Sequence, residues 1–226
     1  PNMHPFSWRG WWDYGTGALG DVGCHLIDIP FRTLGLKYPT AAECSVGSVF
    51  TEMWNPDYLP EGCPPSSLIT INFEATQKSK SPIQMSWSDG GIRPPHPEII
   101  PPNSDIGGND SLNGVLMIGE KGIISTNIND SSPLMPKLYL YDGSTDFGPE
   151  VEEMIEPEYG HQRKWVDACK AGFNSKEHLN LTSSFDYAGP MTETVLMGNL
   201  AIRSFMLREE KSNGKKILRL EKVFKI

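Results

Sequence analysis

Asp21 and His25 are the two residues of this sequence whose chemical types and spacing best suit a catalytic pair. They lie four positions apart within residues 16–36, where apolar residues recur near helical spacing. On a helix, such positions are about 40° apart around the axis, so both side chains project from one face. An imidazole titrates near neutrality, and a neighbouring carboxylate can hold one tautomer and share its charge. The spacing therefore suits acid–base catalysis, and it suits a histidine that only packs about equally well.

Residues 15–20, GTGALG, match the G-x-G-x-x-G pattern of dinucleotide-binding loops. That pattern requires a buried strand directly before it, and residues 9–14 lack the apolar β-branched run of such a strand. We therefore reject this interpretation, although Glu43 lies near the spacing expected for a ribose-binding acid. Because Gly15 and Gly17 lack side chains, we expect a cofactor ring or a sugar to approach the helix start closely there.

The aromatic segment before these glycines is the predicted substrate-binding region. The indole faces of Trp11 and Trp12 can stack on sugar rings, while Arg9 and Asp13 can bond hydroxyl groups. Packing of the tryptophans against a neighbouring domain is an equally good interpretation.

A metal site at His4, Asp21 and His25 is a weaker alternative, because two of these residues share one helical face. The H-E-x-x-H pattern is absent and no clear further ligand is present, so we predict no metal. The four cysteines form no C-x-x-C pair and are expected to be free thiols, which leaves a cytoplasmic or a periplasmic location open.

The elements that must position these residues follow an α+β plan. A helix is predicted over 16–36, with Gly35 as its stop and a bend or break near residues 26–27 caused by Pro30. Strands are predicted at 42–54, 68–75, 83–88, 115–118, 123–127, 137–141 and 217–224, helices at 160–171 and 184–207, and a long loop at 89–114. This order predicts one domain over residues 1–226, with a large, mainly antiparallel open sheet and helices on one face.

The composition excludes several classes of protein. The formal charge of -8, with scattered lysines and arginines, does not suit a nucleic-acid partner. No run approaches the ~20 apolar residues of a membrane helix, so no membrane partner is expected. An apolar content of 38% with 22 glycines and 19 prolines indicates a globular domain whose loops carry much of its function.

Asp21 and His25 belong to a longer motif, Asp21-Val-Gly-Cys-His25-Leu-Ile-Asp28, which follows the glycine-rich stretch. It resembles the start of the C-terminal domain in the glucose-fructose oxidoreductase and inositol dehydrogenase (Gfo/Idh/MocA) family, which carries Asp-x-Gly-x-His-x-x-Asp. The segments SWRGWWDYGTGALGD, SWSDGGIRPPHPE and MTETVLMGNLAIRS are similar to a bacterial subgroup with a long α/β C-terminal domain, so the resemblance spans nearly the whole chain.

The resemblance implies an oxidoreductase. In that family an N-terminal Rossmann domain holds NAD or NADP and supplies a lysine, while the C-terminal domain binds a sugar or polyol. His25 would then be the acid–base residue and Asp21 its orienting partner. A Glu-Lys-Pro triplet and a strand-preceded fingerprint are both missing from the sequence. We therefore expect the Rossmann domain to be absent from this chain, and the chain alone to bind no cofactor and to be inactive.

The resemblance also implies a homo-oligomer formed through the exposed face of the sheet. Other functions remain open at this point: a carbohydrate-binding or scaffold domain without redox chemistry, a relative that uses NAD to cleave glycosides, and a metal-dependent hydrolase.

Overall fold

The computed structural model describes residues 6–57, 59–104, 106, 113–128, 136–144, 158–206, 208–210, 216–218 and 224–225. Within them the chain has the predicted α+β architecture, in which every strand pairing is antiparallel. No helix of this part of the chain combines the length and the apolar character needed to cross a membrane.

The predicted helix over 16–36 is two helices, α1 (Gly17–Leu26) and α2 (Asp28–Leu34), preceded by a 3₁₀ turn at Ser7–Gly10. The break at Ile27 confirms the effect predicted for Pro30. A proline inside one continuous helix would remove a backbone bond and press its ring against the carbonyl four residues earlier. With the break, Pro30 falls in the first turn of α2, where N–H groups have no partner within the helix.

Gly35 ends α2 as predicted. It adopts a left-handed conformation with φ 65° and ψ 37°. Its N–H donates to Arg32 O at 3.3 Å, and the N–H of Leu36 donates to Phe31 O at 2.9 Å. These two bonds form a Schellman motif, which satisfies carbonyls that the helix end leaves without partners.

The strands form four separate sheets in the described part of the chain. They are β1 (Ala41–Val46), β2 (Val49–Glu52), β3 (Asn55–Asp57), β4 (Ser67–Phe73), β5 (Ile83–Ser88), β6 (Asn113–Ile118), β7 (Gly122–Ile128), β8 (Lys137–Leu140), β9 (Arg208–Glu210), β10 (Lys216–Leu218) and β11 (Phe224–Lys225). The main sheet has the order β11-β1-β4-β5, a second sheet has the order β6-β7-β8, and β2-β3 and β9-β10 are two-stranded.

Two predicted strands are divided in the structure. The strand expected over 42–54 is split into β1 and β2, because the chain turns at Gly47, whose N–H donates to Ser66 O at 2.9 Å. The strand expected over 217–224 appears as β10 and β11, and residues 219–223 lie outside the described part. The long loop expected at 89–114 has no helix or strand in its described residues up to 106.

Three helices lie between β8 and β9 in the described part of the chain: α3 (Gly160–Ala171), α4 (Lys176–Leu179) and α5 (Phe185–Met206). The first and last were predicted. The short α4 was not, because a single turn carries too few residues for a periodic pattern; the Ser175 hydroxyl caps it by accepting the His178 N–H at 3.1 Å.

The core lies between one face of the main sheet and helices α1, α2 and α5. Alternate residues of β4 face it, and Ile69 and Ile71 are fully buried. Phe31 of α2 is also buried, with its ring edge-on to Phe73 at 6.4 Å and to Tyr187 at 5.7 Å. Helices on one face of an antiparallel sheet were predicted, and this packing confirms it.

Replacing Phe31 with Ala should lower the free energy of unfolding by about 3–5 kcal/mol, because it leaves a cavity among the two aromatic neighbours. Chemical denaturation followed by circular dichroism measures this. The matched control is Phe185→Ala, since Phe185 is 86% exposed; it should change stability by no more than about 0.5 kcal/mol. Equal losses in the two variants would show that the core has been placed wrongly.

Candidate functional site

Asp21 and His25 both lie on α1, and both are exposed. The Asp21 carboxylate accepts a hydrogen bond from Arg9 Nη1 and forms an ion pair with it. His25 makes no hydrogen bond or ion pair within the described part of the chain. The structure thus brings Arg9 to Asp21 and leaves the His25 imidazole, one turn further along, open to a molecule arriving from solvent.

Arg9 is held by several neighbours besides Asp21. Its guanidinium carbon lies 4.4 Å from the ring centroid of Phe6 and 5.8 Å from that of Trp8. Its Nε is buried and lacks a hydrogen-bond partner among the described residues. Because the ion pair is partly exposed, its main effect is to fix the 3₁₀ turn against α1 rather than to stabilise the fold.

Trp11 and Trp12 join the aromatic segment to residues 59–63. Trp11 forms an isolated β-bridge with Gly62, and the backbone N–H of Trp12 donates to Glu61 O at 2.9 Å. The Trp12 indole packs against the core, with Arg203 stacked 5.5 Å from its ring, whereas Asp13 is exposed in a turn. The four predicted substrate-binding residues therefore divide. Arg9 contacts Asp21 and Trp11 pairs with Gly62, whereas Trp12 packs against the core and Asp13 faces solvent.

Gly15 and Gly17 are required by contacts within the chain. A methyl group at Gly15 would lie 2.5 Å from Arg9 O. Gly17 has a φ of +66°, and a methyl group there would lie 2.8 Å from Cys63 Sγ. Contacts within the chain thus account for a glycine at each of these two positions. The described residues before them, 6–14, form a 3₁₀ turn, an isolated bridge and turns, with no strand among them, which agrees with rejecting the dinucleotide fingerprint.

Cys63 packs against the start of α1, and its N–H donates to Gly10 O at 2.7 Å. Burial, followed by the Asp89 carboxylate, raises the pKa of the Cys63 thiol to about 11, and Arg203 acts in the opposite direction. The thiol is therefore protonated at neutral pH and is no nucleophile. All four cysteines are free, as predicted.

A cavity of about 180 Å³ opens beside the first turn of α1. Trp12, Gly17, Cys63, Asp89 and Asn199 are among its lining residues. The sequence analysis did not single out Asp89 or Asn199, although both lie in segments that carry the resemblance, because both are distant in sequence from residue 17. Two signals were available in the sequence. Asp89 comes directly after a predicted strand, and Asn199 is an amide on an otherwise apolar helix face.

Asp28, the last residue of the motif, has a structural role. The Tyr187 hydroxyl of α5 donates to its carboxylate, and Arg32 lies 3.6 Å from it. Burial and this hydrogen bond to Asp28 raise the pKa of Tyr187. Asp28 therefore ties α2 to α5 and holds the end of α1 in place.

His4 lies outside the described residues, so the metal alternative at His4, Asp21 and His25 is not tested. Within the described part, no group of three or more His, Cys, Asp or Glu side chains could hold a metal ion.

The chain matches no protein-family model and no curated protein at a significant level. The geometry and the sequence motif therefore carry the functional argument.

Replacing Gly17 with Ala should lower the free energy of unfolding by about 1–2 kcal/mol, because the left-handed backbone disfavours a side chain. Displacement of Cys63 should add to that loss. The matched control is Gly10→Ala, since a methyl group at Gly10 meets no atom within 4 Å. Thermal unfolding of both variants makes the comparison, and a Gly17→Ala variant as stable as the control contradicts the proposed contact.

Proposed function

We propose that this chain is the substrate-binding and acid–base domain of an NAD(P)-dependent oxidoreductase that acts on a sugar or polyol hydroxyl. One observation carries the proposal: an exposed His25 lies one turn after Asp21 on α1, within the motif Asp21-Val-Gly-Cys-His25. An imidazole in that position can reach a bound hydroxyl without first breaking a bond to the protein.

Oxidation of an alcohol requires a base for the hydroxyl proton while hydride leaves the same carbon. The neutral His25 imidazole accepts that proton, and in the reverse direction the protonated ring returns it. A guanidinium has five N–H donors. Since the Arg9 Nε is buried, the donors proposed to bind substrate hydroxyls are the Nη groups that Asp21 does not use. NAD or NADP, held by a separate Rossmann domain, supplies hydride transfer.

Asp21 acts through Arg9 in this scheme. Its carboxylate binds the guanidinium, which keeps a cation beside the exposed face of α1. Asp21 is therefore a positioning residue, and His25 is the residue proposed to touch substrate.

In the chain joined to its dinucleotide-binding domain, His25→Ala should lower kcat/KM for oxidation about 10²–10⁴-fold, because the proton acceptor is lost. Asp21→Asn should mainly raise KM, because the Arg9 guanidinium that binds substrate hydroxyls is then no longer held beside α1. Steady-state reduction of NAD and NADP across a panel of sugars and polyols measures both effects. Cys24→Ser, an exposed change between the two positions, is the control and should retain the parent rate. A His25→Ala rate within a factor of a few of the parent rejects the assigned role.

The observed pairing of Asp21 favours one other function. Because Asp21 binds Arg9 and no bond joins it to His25, the site also suits a carbohydrate-binding domain without redox chemistry. For a carbohydrate-binding domain, tryptophan fluorescence should change when sugar is added without dinucleotide. The protein joined to its dinucleotide-binding domain should then reduce no NAD or NADP, and His25→Ala should bind sugar like the parent.

We also propose a homo-oligomer formed through the face of the main sheet that points away from the helices. That face includes Thr70, Leu68 and Ser86, and Leu68 is 41% exposed. Its mostly polar character predicts an interface held by hydrogen bonds as well as by apolar contact.

Light scattering should give a mass of at least a dimer, and Thr70→Arg should lower it to a monomer, because like charges would meet across a two-fold interface. Leu179→Arg, at a 69% exposed position on α4, is the control and should leave the mass unchanged. A monomeric parent protein contradicts this proposal without bearing on the redox proposal.

A further inference from the structure

Asn199 on α5 is a buried amide whose polar atoms are unpaired in the described part of the chain. It is 5% exposed, and neither its Oδ1 nor its Nδ2 has a hydrogen-bond partner among the described residues. A buried polar group without partners destabilises a fold, and such groups call for a specific explanation. The side chain lines the cavity beside α1, so a molecule in that cavity would supply its partners.

Further hydrogen-bond donors surround the same cavity. Trp12 lines it, and the indole Nε1 of Trp12 is a second buried donor without a partner in the described structure. Residues 16–19 form another wall, and the Thr16 side chain makes no capping bond to the first turn of α1. The first N–H groups of a helix have no partner within the helix. The cavity thus has unpartnered side-chain donors from α5 and from the turn before α1, and it lies beside the first turn of α1.

Acceptors face the cavity as well, which decides the charge of its ligand. The Asp89 carboxylate lies in the wall and accepts from Ser67 N at 2.7 Å, from Ser67 Oγ at 2.9 Å and from Trp87 Nε1 at 2.8 Å. These three bonds engage both carboxylate oxygens of an acidic residue in the wall, so an anionic ligand would meet a like charge there. Asn199 Oδ1 is a second acceptor. A hydroxyl group both donates and accepts, and therefore matches this mixture of partners.

The size of the cavity limits the ligand. At about 180 Å³ it is smaller than the pockets that hold drug-sized molecules, which begin at roughly 300 Å³. Pro64, Pro65 and Ile202 add apolar walls that suit the carbon backbone of a small ligand. We propose that this cavity binds a small uncharged polyol of roughly three to five carbons, with Asn199 and Trp12 as its principal hydrogen-bonding side chains.

This binding site uses residues other than Asp21 and His25, and it does not depend on the proposed redox function. Its experiment therefore contains no dinucleotide. Erythritol and xylitol are titrated into the chain and followed by calorimetry and tryptophan fluorescence, with acetate and inorganic phosphate as anionic probes. The polyols should bind and the anions should not.

Two variants test the named side chains. Asn199→Leu keeps a similar volume but removes both polar atoms, so polyol affinity should fall about tenfold or more. The same change should raise Tm by ~2–4 °C, because an unpartnered buried amide is replaced by an apolar group. Trp12→Phe removes the Nε1 donor and should weaken binding several-fold. Asn180→Leu, at an exposed position, is the matched control and should bind like the parent.

Any of four results overturns the proposal. The first two are that the parent binds no polyol, and that it binds the anions in place of polyols. The third is that Asn199→Leu and Trp12→Phe both keep the parent's polyol affinity. The fourth is a lower Tm in Asn199→Leu, which would show that the amide is structural. The redox proposal is judged by the turnover of His25→Ala in the joined protein, and this proposal by the polyol affinity of Asn199→Leu and Trp12→Phe, so the two failures are distinguishable.

Discussion

The packing of α1 onto α5 and β4 is the constraint on which the arrangement of this protein depends. Leu19 is buried where α1 meets α5, and Gly198 permits the approach: a methyl group there would lie 2.6 Å from Leu19 Cδ2 and 3.5 Å from Ile69 Cγ2. Because Leu19, Gly23 and Leu26 face inward, the helical period turns Asp21 and His25 outward. One buried stripe therefore sets the direction of the candidate catalytic pair.

The same packing also creates the cavity. The start of α1 cannot close on α5 and residues 63–65 completely, since Gly17 and Cys63 are already in contact there. Asn199 occupies a position on α5 where an apolar residue would complete the core. An unpaired polar group in a native core calls for a specific explanation, and we interpret this one as a loss of stability retained for binding.

The glycine-rich motif makes contacts that stabilise the fold, whether or not a ligand is bound. Its glycines admit the Arg9 backbone and the Cys63 side chain, while Asp28 at its end binds Tyr187. These contacts fix both ends of the α1–α2 segment, so that Arg9 can meet Asp21 across the exposed side. A motif that resembles a catalytic signature thus consists largely of residues that hold one helix in place.

Interactions between residues close in the sequence allowed much of the secondary structure and the fold class to be predicted. The break before Pro30, the stop at Gly35, the exposed common helix of Asp21 and His25, and the α+β order follow from backbone sterics and hydrophobic periodicity, which act over a few residues. The turn at Gly47 and the short α4 lacked such a signal. Tertiary structure alone decided that Asp21 pairs with Arg9, that Trp12 faces inward, and that Asn199 and Asp89 meet beside residue 17. These contacts join residues far apart in the chain, and no local pattern records which distant side chain the packing of the core will bring into reach.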